Sequence, residues 1–406
     1  MRGAWRSSRG RSGDRLSALE AVPRSQQARR ADPGIAHRDP LRLIRIAVWR
    51  MSAAMSLLAR PAAPAPRPSA LARWMLVLAA MVFAIVVIGG ITRLTESGLS
   101  ITEWKPIRGT IPPLNEAAWQ AEFENYKRIP QYAVFNLHMT LDGFKAIYFW
   151  EYLHRLLARG IGLVLAGVML AFWWKRAVPA GYGRRMTVIF LLGGLQGAIG
   201  WWMVYSGLSA RTEVSHIRLA VHLGAALLIF SVLVWTALDL RALGDDGRAR
   251  PARLTGAAAG ALLVLAIQIV FGAFVAGLRA GYAYASWPKM GDEWFPTGGW
   301  NAALGLANLY DNPIVVQFVH RWWAWAAAIA ALLLARQAKA GGAIAPAIAV
   351  GIALIAQITL GIATLLTGVD IHVAVAHQGV AALLLAALLW TAHRLGRGPA
   401  AVNRLI

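Results

Sequence analysis

The sequence predicts an all-α polytopic membrane protein, with eight transmembrane helices forming two pseudo-symmetric four-helix bundles. Three observations predict it: the composition, eight apolar runs of membrane-crossing length, and a second half that repeats the first. Of 406 residues, 58% are hydrophobic and 15% charged, whereas soluble domains are about half apolar and about a quarter charged. This excludes an ordinary soluble enzyme and a disordered chain. Cysteine is absent, which excludes thiolate metal ligands, Fe–S clusters, disulfides and cysteine nucleophiles. The formal charge of +22 would suit a nucleic-acid binder, but its distribution argues against one.

Residues 1–72 are rich in Arg, Ala, Pro and Ser and lack a sustained apolar period. They read as a disordered basic cytoplasmic extension. A transit peptide is a second reading, being Arg-rich and poor in acid. A start codon placed too early is a third, with Met51 or Met55 as the true start. The apolar runs are approximately 74–92, 154–174, 186–206, 219–238, 254–278, 315–335, 345–366 and 371–392. Each is close to the ~20 residues that cross a bilayer as a helix, and none shows the alternation of a β-barrel. The first four runs make an N-terminal bundle over 73–240 and the last four a C-terminal bundle over 254–393, with a cytoplasmic tail at 394–406.

Eight spans put both termini on one side. Most of the 41 Lys and Arg residues fall at the terminal segments and in the short connections 175–185, 239–253 and 336–344. By the positive-inside rule these face the cytoplasm. The chain is therefore expected in the bacterial inner (plasma) membrane with N- and C-termini cytoplasmic. The basic face is expected to meet anionic lipid, and no nucleic acid.

The halves align motif by motif. Span 4 runs from His222 to Trp235-Thr236-Ala237, and span 8 from His377 to Trp390-Thr391-Ala392, with equal spacing. Span 2 carries His154-Arg155 and span 6 His320-Arg321. Span 3 has Gln196…Gly200 and span 7 has Gln357…Gly361. Trp104-Lys-Pro106 follows span 1, and Trp287-Pro288-Lys289 follows span 5. Four helices per repeat is an even number, so the repeats run parallel.

Histidine recurs at one place in this pattern. His154, His222, His320 and His377 fall near the first turn of every even-numbered span, at one depth toward the outer face. Each half supplies two imidazoles from different helices of one bundle. A bis-His haem takes one nitrogen from each axial side of its iron, which assigns all four as metal ligands. Arg155 and Arg321 follow directly and can fork onto haem propionates. Isolated intramembrane histidines serve as packing residues or interhelical glue, but four at matched positions point to function. Zinc is a weaker rival, because no third ligand type accompanies the pairs. His216 and His372 read as loop or helix-entry residues, either polar interface residues or supports for the ligands. His37, His138 and His393 receive no role.

The halves differ three residues before the first histidine. Glu151 precedes His154, and Gln317 precedes His320. Residues three apart share a helix face, so Glu151 shares the His154 face. A carboxyl group can act as acid, base or charge stabiliser, while its amide shape analogue cannot. The N-terminal half is thus expected to be the reaction site, with Glu151 catalytic, and the C-terminal half to hold a permanent haem. A salt bridge from Glu151 to Arg155 is the structural alternative.

The segment Gly89-Gly-Ile-Thr-Arg93-Leu-Thr-Glu96-Ser-Gly98 through Trp104-Lys-Pro106 resembles the first outer-loop signature of the haem A synthase family. Glu151-Tyr-Leu-His154-Arg155, His216 to His222, Gly272 to Gly277 with Trp287-Pro288, and His320-Arg321 resemble its further motifs in order. The resemblance covers about residues 70–393. It implies oxidation of the C8 methyl of haem O to a formyl group, giving haem A for cytochrome c oxidase. It also implies haem b on His320 and His377, haem O and then haem A as substrate and product on His154 and His222, and the family's glutamate at Glu151. A haem O synthase and the oxidase assembly machinery are the implied partners, and a homo-oligomer is compatible with the sequence. Some members carry a cysteine pair in the first outer loop; this chain has none.

Two other functions fit parts of the pattern. A di-haem cytochrome b would transfer electrons without substrate turnover. A secondary transporter would also carry repeats, but these spans lack mid-membrane breaks. The long segment 92–150 is expected to form short interfacial helices over the substrate cavity.

Overall fold

The computed structural model describes residues 40–58, 65–105, 107–209 and 211–397. Twelve α-helices fall among them: α1 (Pro40–Leu58), α2 (Pro68–Leu94), α3 (Glu116–Tyr126), α4 (Pro130–Phe135), α5 (Leu141–Trp174), α6 (Gly183–Ser209), α7 (His216–Asp245), α8 (Gly256–Gly277), α9 (Asn308–Asp311), α10 (Pro313–Ala340), α11 (Ile344–Leu366) and α12 (Ile371–Gly396). No β-strand occurs among the described residues. Helices α2, α5, α6, α7, α8, α10, α11 and α12 are long and apolar enough to cross a membrane. They correspond to the eight predicted spans, and all lie in one compact unit of residues 64–406.

α1 belongs to a separate unit, residues 1–63, and is helical within the segment 1–72 that the sequence reads as a disordered extension. Its sequence is rich in Leu, Ile, Ala, Arg and Met, has no glycine, and confines its single proline to the first position, where proline suits a helix. Residues 1–39 lie outside the described residues. At the other end, α12 continues through Gly396, so the expected tail begins inside a helix.

Local chemistry sets the helix starts. Thr140, Ser215, Thr255, Asn312 and Asp370 each accept a hydrogen bond from the first turn of α5, α7, α8, α10 and α12, satisfying donors with no intrahelical partner. α5 differs most from the predicted span. It begins at Leu141, well before the apolar run, because its capped first turns carry Asp142 and Lys145. Phe144 and Tyr148 on this extension pack with Phe123, Tyr126 and Ile129 in an aromatic cluster. His154 therefore lies mid-helix rather than near a first turn. His222, His320 and His377 lie in the second turn of their helices.

α2, α5, α6 and α7 pack as successive neighbours, and so do α8, α10, α11 and α12. Between the groups, α7 meets α8 and α12 meets α2. Leu71, Met75 and Leu78 of α2, Leu233 and Leu240 of α7 and Leu388 of α12 are almost fully buried at the centre. Leu163 and Leu170 of α5, Leu191 and Leu195 of α6, and Ile352 and Ile355 of α11 are exposed, as expected where lipid replaces water as the solvent.

The connection expected to form short helices does so, through α3, α4 and the single 3-10 turns Ser97–Leu99 and Arg108–Thr110. Beneath the opposite face, Asp239 of α7 is fully buried. It accepts from Arg185 at 2.6 Å and from the Ala252 backbone N–H at 2.9 Å, and pairs with His393 Nε2 at 2.9 Å. His393, which the sequence left without a role, thus helps tie α12 and α6 to the connection joining the halves.

Candidate functional site

A cavity of about 1310 Å³ runs through the 64–406 unit and is lined by His154, His222, His320 and His377 together. This exceeds the ~300–1,000 Å³ of an ordinary small-molecule pocket. Its other walls are mostly aliphatic, with Glu151, Gln317, Arg155, Arg321, Arg93 and Arg279 toward the face that carries the 95–140 connection. The structure therefore brings together every residue that the sequence singled out for the site.

Each imidazole rests on a glycine of the preceding membrane helix. A Cβ on Gly200 would lie 2.9 Å from His222 Cε1, one on Gly272 3.0 Å from His320 Cε1, and one on Gly361 2.9 Å from His377 Cε1. One on Gly89 would lie 3.3 Å from His154 Nε2. Four glycine cradles let the rings sit against backbone while still facing the cavity. This arrangement fits an iron porphyrin held by paired neutral imidazoles. Among the described residues no three His, Cys, Asp or Glu side chains converge on one point.

Glu151 is buried, at 3% exposure. Its Oε2 accepts from the Ser100 hydroxyl and the Ile101 N–H, both at 2.7 Å. Its Oε1 accepts from Arg155 at 2.6 Å, so the anticipated i, i+4 salt bridge is present. Three donors on a carboxylate with about four acceptor positions leave room for one more partner. In the second half, Gln317 Nε2 donates to the Tyr284 carbonyl at 3.1 Å. Tyr284 occupies the repeat position of Ile101. The same loop thus donates to an acid in one half and accepts from an amide in the other.

The two arginines act alike. Arg155 donates to the carbonyls of Ile101 (2.7 Å) and Glu103 (3.3 Å). Arg321 donates to those of Tyr284 and Ser286, both at 2.8 Å. Each loop folds back over its histidine and brings these carbonyls within reach of the arginine. Sequence reasoning missed a second set of charges. Arg279 pairs with Glu96 at 2.6 Å and also with Glu213, and Arg93 pairs with Glu213 at 3.1 Å. Glu96 and Arg279 hold equivalent repeat positions, both in the left-handed region at φ 57° and 52°. Their signal was available as opposite charges at matched places.

His216 is buried at the junction of the halves, edge-on to Phe274 and against Gly277. His372 and His138 are exposed.

Comparison with known proteins bears on what this cavity serves. The sequence profile described as cytochrome oxidase assembly protein matches residues 72–389. The chain belongs to the cytochrome oxidase assembly protein family. A protein named Heme A synthase from Rhizorhabdus wittichii is 77% identical over 343 residues, covering 84% of this chain and 99% of its own length. Those of the same name from Sphingopyxis alaskensis and Rhodospirillum centenum are 56% and 49% identical. They cover 82% and 85% of this chain, and 94% and 93% of their own lengths. The motif resemblance and the family match agree.

Proposed function

We propose that this chain is a haem A synthase, an oxidoreductase that converts the C8 methyl of haem O to the formyl group of haem A for cytochrome c oxidase. The observation that carries the assignment of halves is the exchange of Glu151 for Gln317 within otherwise matching loop clamps. In this reading the first half holds substrate haem O between His154 and His222. The second half holds a resident haem b on His320 and His377, which supplies one-electron redox chemistry when bound.

With water as the oxygen source, conversion of a methyl to a formyl group releases four electrons and four protons, and the electrons pass to an external one-electron acceptor. Glu151 places negative charge at the cavity wall, where it stabilises positive charge developing on the methyl carbon and positions water. A fixed carboxylate acts most strongly in a site from which bulk water is excluded. Ser100 and Ile101 hold its Oε2, and Arg155 holds its Oε1, so its reach into the cavity is set before substrate arrives. The buried Gln317 has the shape but not the charge, which suits a half that only carries electrons.

The basic connections orient the chain with both termini in the cytoplasm of a bacterial inner membrane. Because haem O is poorly soluble in water, direct transfer from a haem O synthase and onward to the oxidase assembly machinery follows. Glu151→Gln tests the assignment. The variant is expected to retain both haem sites while accumulating haem O or its hydroxymethyl derivative in extracted pigment. Normal haem A yield would remove Glu151 from the mechanism. Two chemically identical, unconverted haems in the wild-type protein would favour the di-haem cytochrome reading.

A further inference from the structure

Three of the four imidazoles are held by a glutamine, and the fourth is not. Gln196 Nε2 donates to the His222 carbonyl at 3.0 Å and lies 3.1 Å from His222 Nδ1. Gln268 does the same to His320, at 3.0 and 3.1 Å. Gln357 lies 3.4 Å from His377 Nε2 through its amide, and its backbone carbonyl is 3.2 Å from His377 Nδ1. Each glutamine stands four residues before the glycine that cradles the same ring: Gln196 before Gly200, Gln268 before Gly272, Gln357 before Gly361. One helical turn therefore supplies both a seat and a latch.

Four residues before Gly89, the seat of His154, stands Ile85. It is the repeat counterpart of Gln268, it lines the cavity, and it has no hydrogen-bonding group. Among the described residues no side-chain hydrogen bond reaches His154. In the three glutamines Oε1 is buried without a partner. An imidazole that binds iron through Nε2 carries its proton on Nδ1. At His377 the Gln357 backbone carbonyl is the acceptor in place. At His222 and His320 the amide beside Nδ1 supplies its oxygen by turning over, at the expense of its bond to the histidine carbonyl.

We propose that the Gln196 and Gln268 side chains are positioning residues for His222 and His320, that the Gln357 backbone carbonyl does the same for His377, and that Ile85 leaves His154 as the one releasable ligand. The proposal rests on the reading that the first half binds a substrate haem. The second half then keeps its haem between two latched rings. The first half holds its haem between one latched ring and one free to swing, so the group can be admitted and discharged at each turnover. Partners that orient metal-bound histidines are typically worth 10–100-fold in metal affinity.

The test uses the full-length protein in detergent and reads haem transfer to apomyoglobin, alongside the low-spin electron paramagnetic resonance signals. Ile85→Gln is expected to slow loss of the first-half haem by about 10–100-fold, leaving the second half unchanged. Gln268→Ile is expected to speed loss of the second-half haem by a similar factor and shift its low-spin signal. Gln268→Glu, which keeps an acceptor for Nδ1–H, is expected to restore the signal. Unchanged release and unchanged signals in both Ile85→Gln and Gln268→Ile would overturn the proposal. The two readings fail separately. If the release rates follow the latches but haem O is never converted, the functional reading falls and the latch stands. If conversion proceeds and neither variant alters release, the latch alone falls.

Discussion

The two halves use the same parts to different ends. Both seat their histidines on glycine, and both clamp the loop after their first helix with an arginine, at equivalent carbonyls. They differ at Glu151 against Gln317 and at Ile85 against Gln268. Each first-half residue removes something the second half has: an uncharged wall in one case, a ring latch in the other. In the proposed reading, these two exchanges separate a half that reacts from a half that retains its haem. A repeat of this kind teaches most where it fails, because the matched half serves as an internal control.

The largest expected break comes from removing a ligand. His377→Ala should abolish the low-spin signal of the second-half haem while the first-half signal persists, and His154→Ala should do the reverse. Loss of both signals from either variant would mean the halves are not independent sites. Next come the cradles. Gly272→Val places methyl groups against the His320 ring, about 3 Å from Cε1 for its Cβ alone, and overpacking of this kind costs ~1–3 kcal/mol. It should lower haem retention in the second half, read as haem per protein after purification. Gly194→Ala meets nothing within 4 Å and should leave retention unchanged.

Gln317→Glu makes the second half resemble the first. A carboxylate cannot donate to the Tyr284 carbonyl, so the variant loses one hydrogen bond, about 0.5–1.5 kcal/mol, while Arg321 still donates to that carbonyl. The variant should melt earlier by differential scanning fluorimetry in detergent, and it should gain no haem O oxidation, because Ala283 stands where Ser100 supports Glu151. The smallest effect is expected from Arg279→Ala. Its pairs with Glu96 and Glu213 are about one-third exposed on the arginine side, and such pairs contribute about 0–1 kcal/mol. Any stability difference should shrink as salt is raised.

Much of this was legible before any fold was known. Span number follows from the length of apolar runs, since a bilayer demands internally bonded helices. The four histidines and the Glu151–Gln317 contrast follow from aligning the halves. The start of α5 was not legible, because its first turns are held by aromatic packing rather than hydrophobic length. The roles of Arg155 and Arg321 were not legible either, because their carbonyl partners lie in loops that meet them only after folding. Gln196 and Gln357 stood out as a repeated spacing, but Gln268 was passed over, and nothing in the spacing revealed that these amides touch the rings.

By itself the sequence determined the class of protein, the repeat and the four histidines that line the cavity. These depend on local composition and on periodicity along one chain. Only the tertiary structure decided which glycine seats which imidazole, which amide holds it, and which ring is left unheld. Those are contacts between helices of opposite direction, and no pattern read along a single helix encodes them.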